Sequence, residues 1–265
     1  MTLQFKIGNG EFGEVYHLLA IVHLLQRVKQ KVAICFENFS DGEELFRFLS
    51  VDIAECNPSL QNEHLSSTAN ILHKYFFAGC LESLATTIRR VAEDEGWSFP
   101  YPGELETPAP KLVIWQREKE YRSYRNSSRQ LLEQLVDLCK RHATIPVLLG
   151  TPRGLSGAIE LGNFYELPFF KNRASIPKQL WFLDRLFRSY GTIAQVGMMS
   201  GAMDGPAMLF GHKTVFLARH RDATPRMQKV SITVPNLIWQ HIEYQDDFQM
   251  LTGAHLQKLE QNLWG

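Results

Sequence analysis

The sequence carries no excess of either charge. Its 28 lysines and arginines are matched by 28 aspartates and glutamates. That balance argues against a nucleic-acid or membrane-surface protein, since both normally carry a basic surplus. Cysteine is scarce. Cys35, Cys56, Cys80 and Cys139 stand far apart, with no C-x-x-C pair and no zinc-type spacing to histidine. Scattered thiols of this kind suit a reducing cytoplasm. No apolar run approaches the ~20 residues needed to span a bilayer. The N-terminus enters a strand directly, without a signal-peptide pattern. There is no D-x-D motif, no internal repeat and no low-complexity tract. The expectation is a cytoplasmic protein with no transmembrane segment, no bound metal, no cofactor and no nucleic-acid partner. Its 265 residues suffice for one large domain or two small ones.

What is present begins with "IGNGEFGEVY", Ile7 to Tyr16. The stretch matches the phosphate-covering loop of a protein kinase, but the rest of that machine is missing. Leu18, Leu19, Val22, Leu25 and Val28 recur at helical steps where a kinase continues its hairpin. Cys35 stands where the strand lysine belongs. "HRDA" at His220 lies too near the C-terminus, has Met227 in place of the metal-holding asparagine, and is followed by no DFG. These departures count against a kinase. Gly8, Gly10 and Gly13 also fit G-x-G-x-x-G between a strand and a helix, the context of a dinucleotide fingerprint, with Glu37 beyond the second strand as a ribose partner. Glu11 and Glu14 count against a pyrophosphate there, because carboxylates compete with an anion for the helix N-terminus. The turn is equally consistent with a tight strand-to-helix connection and nothing more.

Strand and helix patterns alternate along the chain, which predicts an α/β fold built on parallel sheets with right-handed crossovers. Leu3–Ile7 and "KVAICFE" read as strands. Glu14 to Gln30, "SDGEELFRFLS" and a long stretch from Ser66 to Glu95 read as helical. "PYPGELETPAP", Pro100 to Pro110, cannot continue a helix and reads as a stiff linker. It divides the chain into an N-terminal unit, residues 1–103, and a C-terminal unit, residues 104–265. Alternation then restarts with strands "KLVIWQ", "IPVLLG", "TIAQVGMMSG" and "KTVFLA". The helix "SSRQLLEQLVDLCKRH" is capped by Ser127 or Ser128. "IPKQLWFLDRLFRSYG" has Pro177 in its first turn and Gly191 past its end. "AMDGPAMLFGH" is a short helix and "LTGAHLQKLEQNLW" a terminal one, while Thr151 to Arg173 is glycine-rich and ill-defined.

Three constellations carry chemistry. Glu14, or failing it Glu11, lies on the first β–α turn and is placed to act as a general base across a cleft; the bland alternative is an acid stabilised by the helix dipole. Ser200, Gly201 and Ala202 open a helix after a strand, with Asp204 in its first turn; small residues there let a diphosphate approach the amides, or merely permit close packing. Arg117, Lys119, Arg122 and Arg125, with Asn126 and Ser127, crowd the loop after "KLVIW", where guanidinium groups can grip phosphate unless Glu118 and Glu120 simply pair with them. A further basic cluster, Arg219, His220, Arg221, Arg226 and Lys229, reads as a charged surface loop.

The layout resembles the GT-B-fold glycosyltransferases, in which two Rossmann-like domains face each other across a cleft. "FGEVYHLLAIVHLLQRVKQKVAICFE" is similar to the opening of heptosyltransferase-type sequences and of related rhamnosyl- and fucosyltransferases. In that family a glycine-acid pair begins the first helix and the acid is the catalytic base. Gly13-Glu14 falls on the pair, with glutamate where aspartate is usual. "VGMMSGAMDGPAMLFGHKTVFLA" resembles the segment whose small-residue helix start holds the donor diphosphate, and Ser200, Gly201 and Ala202 fall on it. "VIWQREKEYRSYRN" looks like the family's basic loop. The chain departs from the pattern in being compact, with the Ser66–Glu95 helical region where further β–α units belong. The resemblance implies a sugar transferase using a nucleotide-diphosphate donor, metal-independent and inverting. The competing readings are an NAD(P)-dependent oxidoreductase using Gly8 to Gly13, and a non-catalytic two-domain binding protein.

Overall fold

The structure is a computed structural model describing residues 3–7, 15, 18–19, 21–22, 25–26, 28–36, 43–48, 51–53, 82–99, 102–118, 126–151, 153–161, 176–198, 200–219, 236–242, 244–245, 248–249 and 251–265. Two parallel sheets organise them. The first is three-stranded, in the order β1 (Leu3–Ile7), β2 (Val32–Phe36), β3 (Asp52–Ile53). Helical residues within 15–26 bury Val15, Leu18, Leu19, Ile21 and Val22, the periodic set expected of an amphipathic crossover. α1 (Glu43–Phe48) adds Phe46 to the same core, and α2 (Glu82–Asp94) closes the described part of this half.

The described residues of the segment expected to be a stiff linker are mostly exposed, with one buried anchor. The segment holds a short helix, α3 (Pro102–Leu105), whose Leu105 is fully buried. Beyond it, the Lys111 ammonium donates to the carbonyls of Thr107 and Ala109. Burial of that ammonium lowers its pKa, while the two carbonyls accept two of its three protons.

The second sheet contains β4 (Lys111–Trp115), β5 (Ile145–Leu149), β6 (Ile159–Glu160), β7 (Thr192–Met198), β8 (Thr214–Arg219) and β9 (Leu237–Ile242). Its order is β6-β5-β4-β7-β8-β9, and every adjacent pair is parallel. Counted from β4, this is 3-2-1-4-5-6, the doubly wound order of dinucleotide-binding folds. All of β4 is buried, as a central parallel strand must be. Leu112 and Ile114 enter one core with α4 (Arg129–Arg141) and the terminal helix α7 (Gly253–Trp264). Val113 and Trp115 enter the other with α5 (Ile176–Ser189) and α6 (Gly201–Phe210). That second core is continuous with the core of the first sheet. A two-strand antiparallel ribbon, β10 (Tyr244–Gln245) with β11 (Phe248–Gln249), precedes α7.

Sequence patterns miss five strands, β3, β6, β9 and the paired β10 and β11. β3 and β6 are only two residues each. β9 is interrupted by Gln240, which is buried and satisfied by α7: its amide donates to the His255 carbonyl at 2.9 Å and accepts from Asn262 at 2.9 Å. At α4 the cap is Ser128, whose hydroxyl accepts from the Leu131 N–H at 3.0 Å.

One polar clamp joins α2 to the second sheet's helices. Arg89 grips the buried Asp184 of α5 with two hydrogen bonds, 2.8 and 3.0 Å. The His212 ring stacks on Phe187 at 4.2 Å and places Nε2 3.3 Å from the same carboxylate, outside good hydrogen-bond geometry. Burial alone would raise the Asp184 carboxyl; His212 and Arg89 outweigh it and hold the pKa below the ordinary value. Phe99 stacks on Phe182 at 4.6 Å beside this clamp.

Candidate active site

In a doubly wound sheet the strand order reverses at one place, and the crevice outside the carboxyl ends of those strands receives ligands. Here the reversal lies between β4 and β7. The segments that leave their carboxyl ends are the loop from Gln116 and the turn into α6. Sequence reasoning singled out both segments, and the fold brings them to neighbouring strand ends.

The loop after β4 is tied at its base. Ser127 N–H donates to the Arg117 carbonyl at 2.9 Å, and Arg117 N–H donates to the Ser127 hydroxyl at 3.1 Å. The Arg117 guanidinium donates to Asn126 Oδ1 at 2.8 Å. Arg117 and Asn126 therefore already hold each other. Ser127 is buried, a loop brace beside the cap at Ser128.

On the β7 side, Ser200 is the N-cap of α6 with extended φ and ψ, and its side chain makes no capping bond. Gly201 and Ala202 follow as the first helical residues. Asp204 is buried in the first turn. The close approach of β7 to β4 depends on Gly197: a Cβ there would sit 2.7 Å from the Trp115 Cβ and 2.9 Å from its carbonyl oxygen. Beneath the crevice Gln195 is completely buried and acts as a rivet. Its Oε1 accepts from the Trp115 indole at 2.6 Å; its Nε2 donates to the Met203 carbonyl at 2.9 Å and the Thr214 hydroxyl at 2.7 Å. One carboxamide thus fixes β4, β8 and the first turn of α6 relative to β7. Sequence analysis passed over Gln195 and Gly197. The available signal was an amide and a glycine set inside an otherwise apolar strand.

The other expected residues cannot be placed. Gly8, Gly10, Glu11, Gly13, Glu14, Glu37, Lys119, Arg122 and Arg125 lie outside the described residues, as do His220, Arg221, Arg226 and Lys229. Among the described residues no cluster of His, Cys, Asp and Glu could hold a metal ion, and no helix is long and apolar enough to cross a membrane. A groove of about 650 Å³ lies elsewhere, between α2 and α5, lined by Arg89, Trp97, Trp181, Asp184, Arg185 and Arg188. Arg89 also lies over Phe210, the last residue of α6. The groove is therefore about one helix length, roughly 15 Å, from Ser200.

No family model matches the chain, and no curated protein matches its sequence. Solved structures do match. Escherichia coli heptosyltransferase WaaC with ADP gives a TM-score of 0.55 at 11% identity, covering 99% of this chain and 100% of WaaC. The dodecameric iron-containing heptosyltransferase TibC in complex with ADP-D-beta-D-heptose gives 0.52 at 10% identity, covering 99% of this chain and 75% of TibC. E. coli ADP-heptose lps heptosyltransferase II gives 0.50 at 12% identity, covering 98% of each chain. At such identities the agreement concerns the path of the backbone, over nearly the whole length. The chain has the fold of the heptosyltransferases.

Proposed function

We propose that the chain is a glycosyltransferase that moves a sugar from a nucleotide-diphosphate donor to an acceptor hydroxyl, acting in the cytoplasm. The observation that carries this reading is the reversal of strand order between β4 and β7, whose neighbouring carboxyl ends lead into the Gln116 loop and the small-residue start of α6. In this reading residues 1–103 and 104–265 are Rossmann-like domains of GT-B type, facing each other across a cleft. The donor diphosphate lies on the amides at Ser200, Gly201 and Ala202, and Asp204 helps to shape that turn. Arg117, Arg122, Arg125 and Asn126 hold its oxygens from the other side. The glycines Gly8, Gly10 and Gly13 bring the first helix close to the acceptor.

The chemistry follows from those placements. Glu14, or failing it Glu11, takes the proton from the acceptor hydroxyl. The freed oxygen attacks the anomeric carbon as the bond from that carbon to the phosphate oxygen breaks. The electron pair leaves with the nucleoside diphosphate, whose growing charge the amides and guanidinium groups stabilise without a divalent cation. Attack opposite the leaving group inverts the anomeric centre. ADP and ADP-heptose, bound by two of the matching heptosyltransferases, are the first ligands to try.

A thermal-shift panel of nucleotides and nucleotide sugars tests the reading. A true ligand at a hundred times its dissociation constant adds about 2.7 kcal/mol of stability. No shift with any nucleotide sugar at millimolar concentration would reject it, and a shift with NAD(P) alone would favour an oxidoreductase. Glu14→Gln should abolish transfer while leaving donor binding nearly intact; unchanged turnover would remove Glu14 from the mechanism.

A further inference from the structure

Three buried glutamines sit in or just beyond strands of the second sheet: Gln116, Gln195 and Gln240. Two are satisfied, Gln195 by Trp115, Met203 and Thr214, and Gln240 by His255 and Asn262. Gln116, only 6% exposed, is different: its Nε2 is buried and donates to nothing. It stands at the carboxyl end of β4, beside the crevice. A second buried donor without a partner, Arg153 Nε, lies beyond the neighbouring strand end, β5. The two ends are tied together. Gly150, with φ +132°, packs so closely on Gln116 that a Cβ would collide with the Gln116 carbonyl oxygen. Arg153 Nη2 lies 3.1 Å from a carboxylate oxygen of Glu118.

An orphaned buried donor calls for an explanation, and a ligand acceptor is one. Both orphans are N–H groups, and Glu118, the acid at hand, is already engaged by Arg153. A phosphoryl oxygen or a nucleobase carbonyl brings lone pairs only. We propose that Gln116 and Arg153 form a paired donor site for a proton-free oxygen of the donor nucleotide, a phosphoryl oxygen or a base carbonyl. This rests on reading the crevice as a nucleotide-sugar site. Gln116 then helps to hold the donor without touching the reacting carbon.

Such a pair leaves a signature that a structural amide does not. Replacing an unpaired buried amide with an apolar side chain of similar shape removes a desolvation penalty. Gln116→Met should therefore melt higher than the wild type without ligand, by about 2–4 °C, and bind nucleotide about tenfold more weakly. Arg153→Met, at a more exposed position, should also weaken binding by about tenfold. Calorimetric titrations of the full chain with inorganic pyrophosphate, ADP, UDP and GDP read both effects. A loss shared by all four assigns the pair to a phosphoryl oxygen; a loss confined to UDP and GDP assigns it to a base carbonyl. Either upholds the proposal. Unchanged affinities in both variants, or a lower melting temperature for Gln116→Met, would overturn it. A wild type that binds none of the four removes instead the reading of the site on which the pair depends.

Discussion

The two sheets differ in how completely they are covered. The second is wound on both faces, with one core under α4 and α7 and another under α5 and α6. Its central strand β4 is buried along its whole length. The described part of the first sheet is three strands, the last of two residues, and its core runs on into that of its neighbour. A doubly covered sheet fixes its strand ends from above and below, and a ligand crevice needs that rigidity. The second sheet can therefore define the crevice with its own side chains, through the Gln195 rivet and the Gly197 contact. The first leans on the second through the Arg89–Asp184 clamp and the shared apolar core.

Cutting the clamp should produce the largest effect. Asp184→Ala removes both hydrogen bonds from the Arg89 guanidinium and should cost about 3 kcal/mol in chemical denaturation. The clamp also has a pH signature. Because the folded-state pKa of Asp184 is lowered, its contribution is fully present above the unfolded value near ~3.9 and is lost as pH falls through the folded one. The stability gap between wild type and variant should hold at neutral pH and shrink below about pH 4. A gap that persists undiminished in acid would show that packing, not charge, joins the two regions.

Gly197→Ala tests the second sheet from within. The added methyl would press on the Trp115 backbone, where little can give, and should cost about 1–3 kcal/mol. It should also spread the β4–β7 crevice, so that nucleotide affinity falls by more than the melting shift alone explains. Ser128→Ala, which removes the α4 cap, should cost only about 1 kcal/mol and leave nucleotide affinity almost unchanged. If it weakened binding as much as Gly197→Ala, the distinction between crevice and periphery would fail.

Much of the second sheet is legible in the sequence. β4, β5 and β8 are largely apolar runs and β7 is one broken only by Gln195 and Gly197, each bounded by glycine, proline or polar clusters, and the helices between them carry clear caps and stops, such as Ser128 and Gly191 with its φ of +68°. Other parts are set by distant residues. β6 is held by pairing with Val147 and Leu148 rather than by a pattern of its own. β9 conceals its character behind Gln240, whose amide is satisfied only once α7 folds over it. Ser200 to Ala202 and Arg117 could be picked out from composition. That they emerge from adjacent strands is a matter of strand order, which no local pattern records. The unpaired nitrogens of Gln116 and Arg153 are further still from the sequence, since an amide looks the same whether or not it has a partner.

The central claim is that nucleotide binds where β4 and β7 part. Hydrogen exchange with and without saturating ADP tests it most directly. The account predicts slowed exchange at the amides of residues 116–118, 126–128 and 200–203, with little change in α7. Protection confined to the Gly8–Gly13 turn, or no protection at the start of α6, would contradict it.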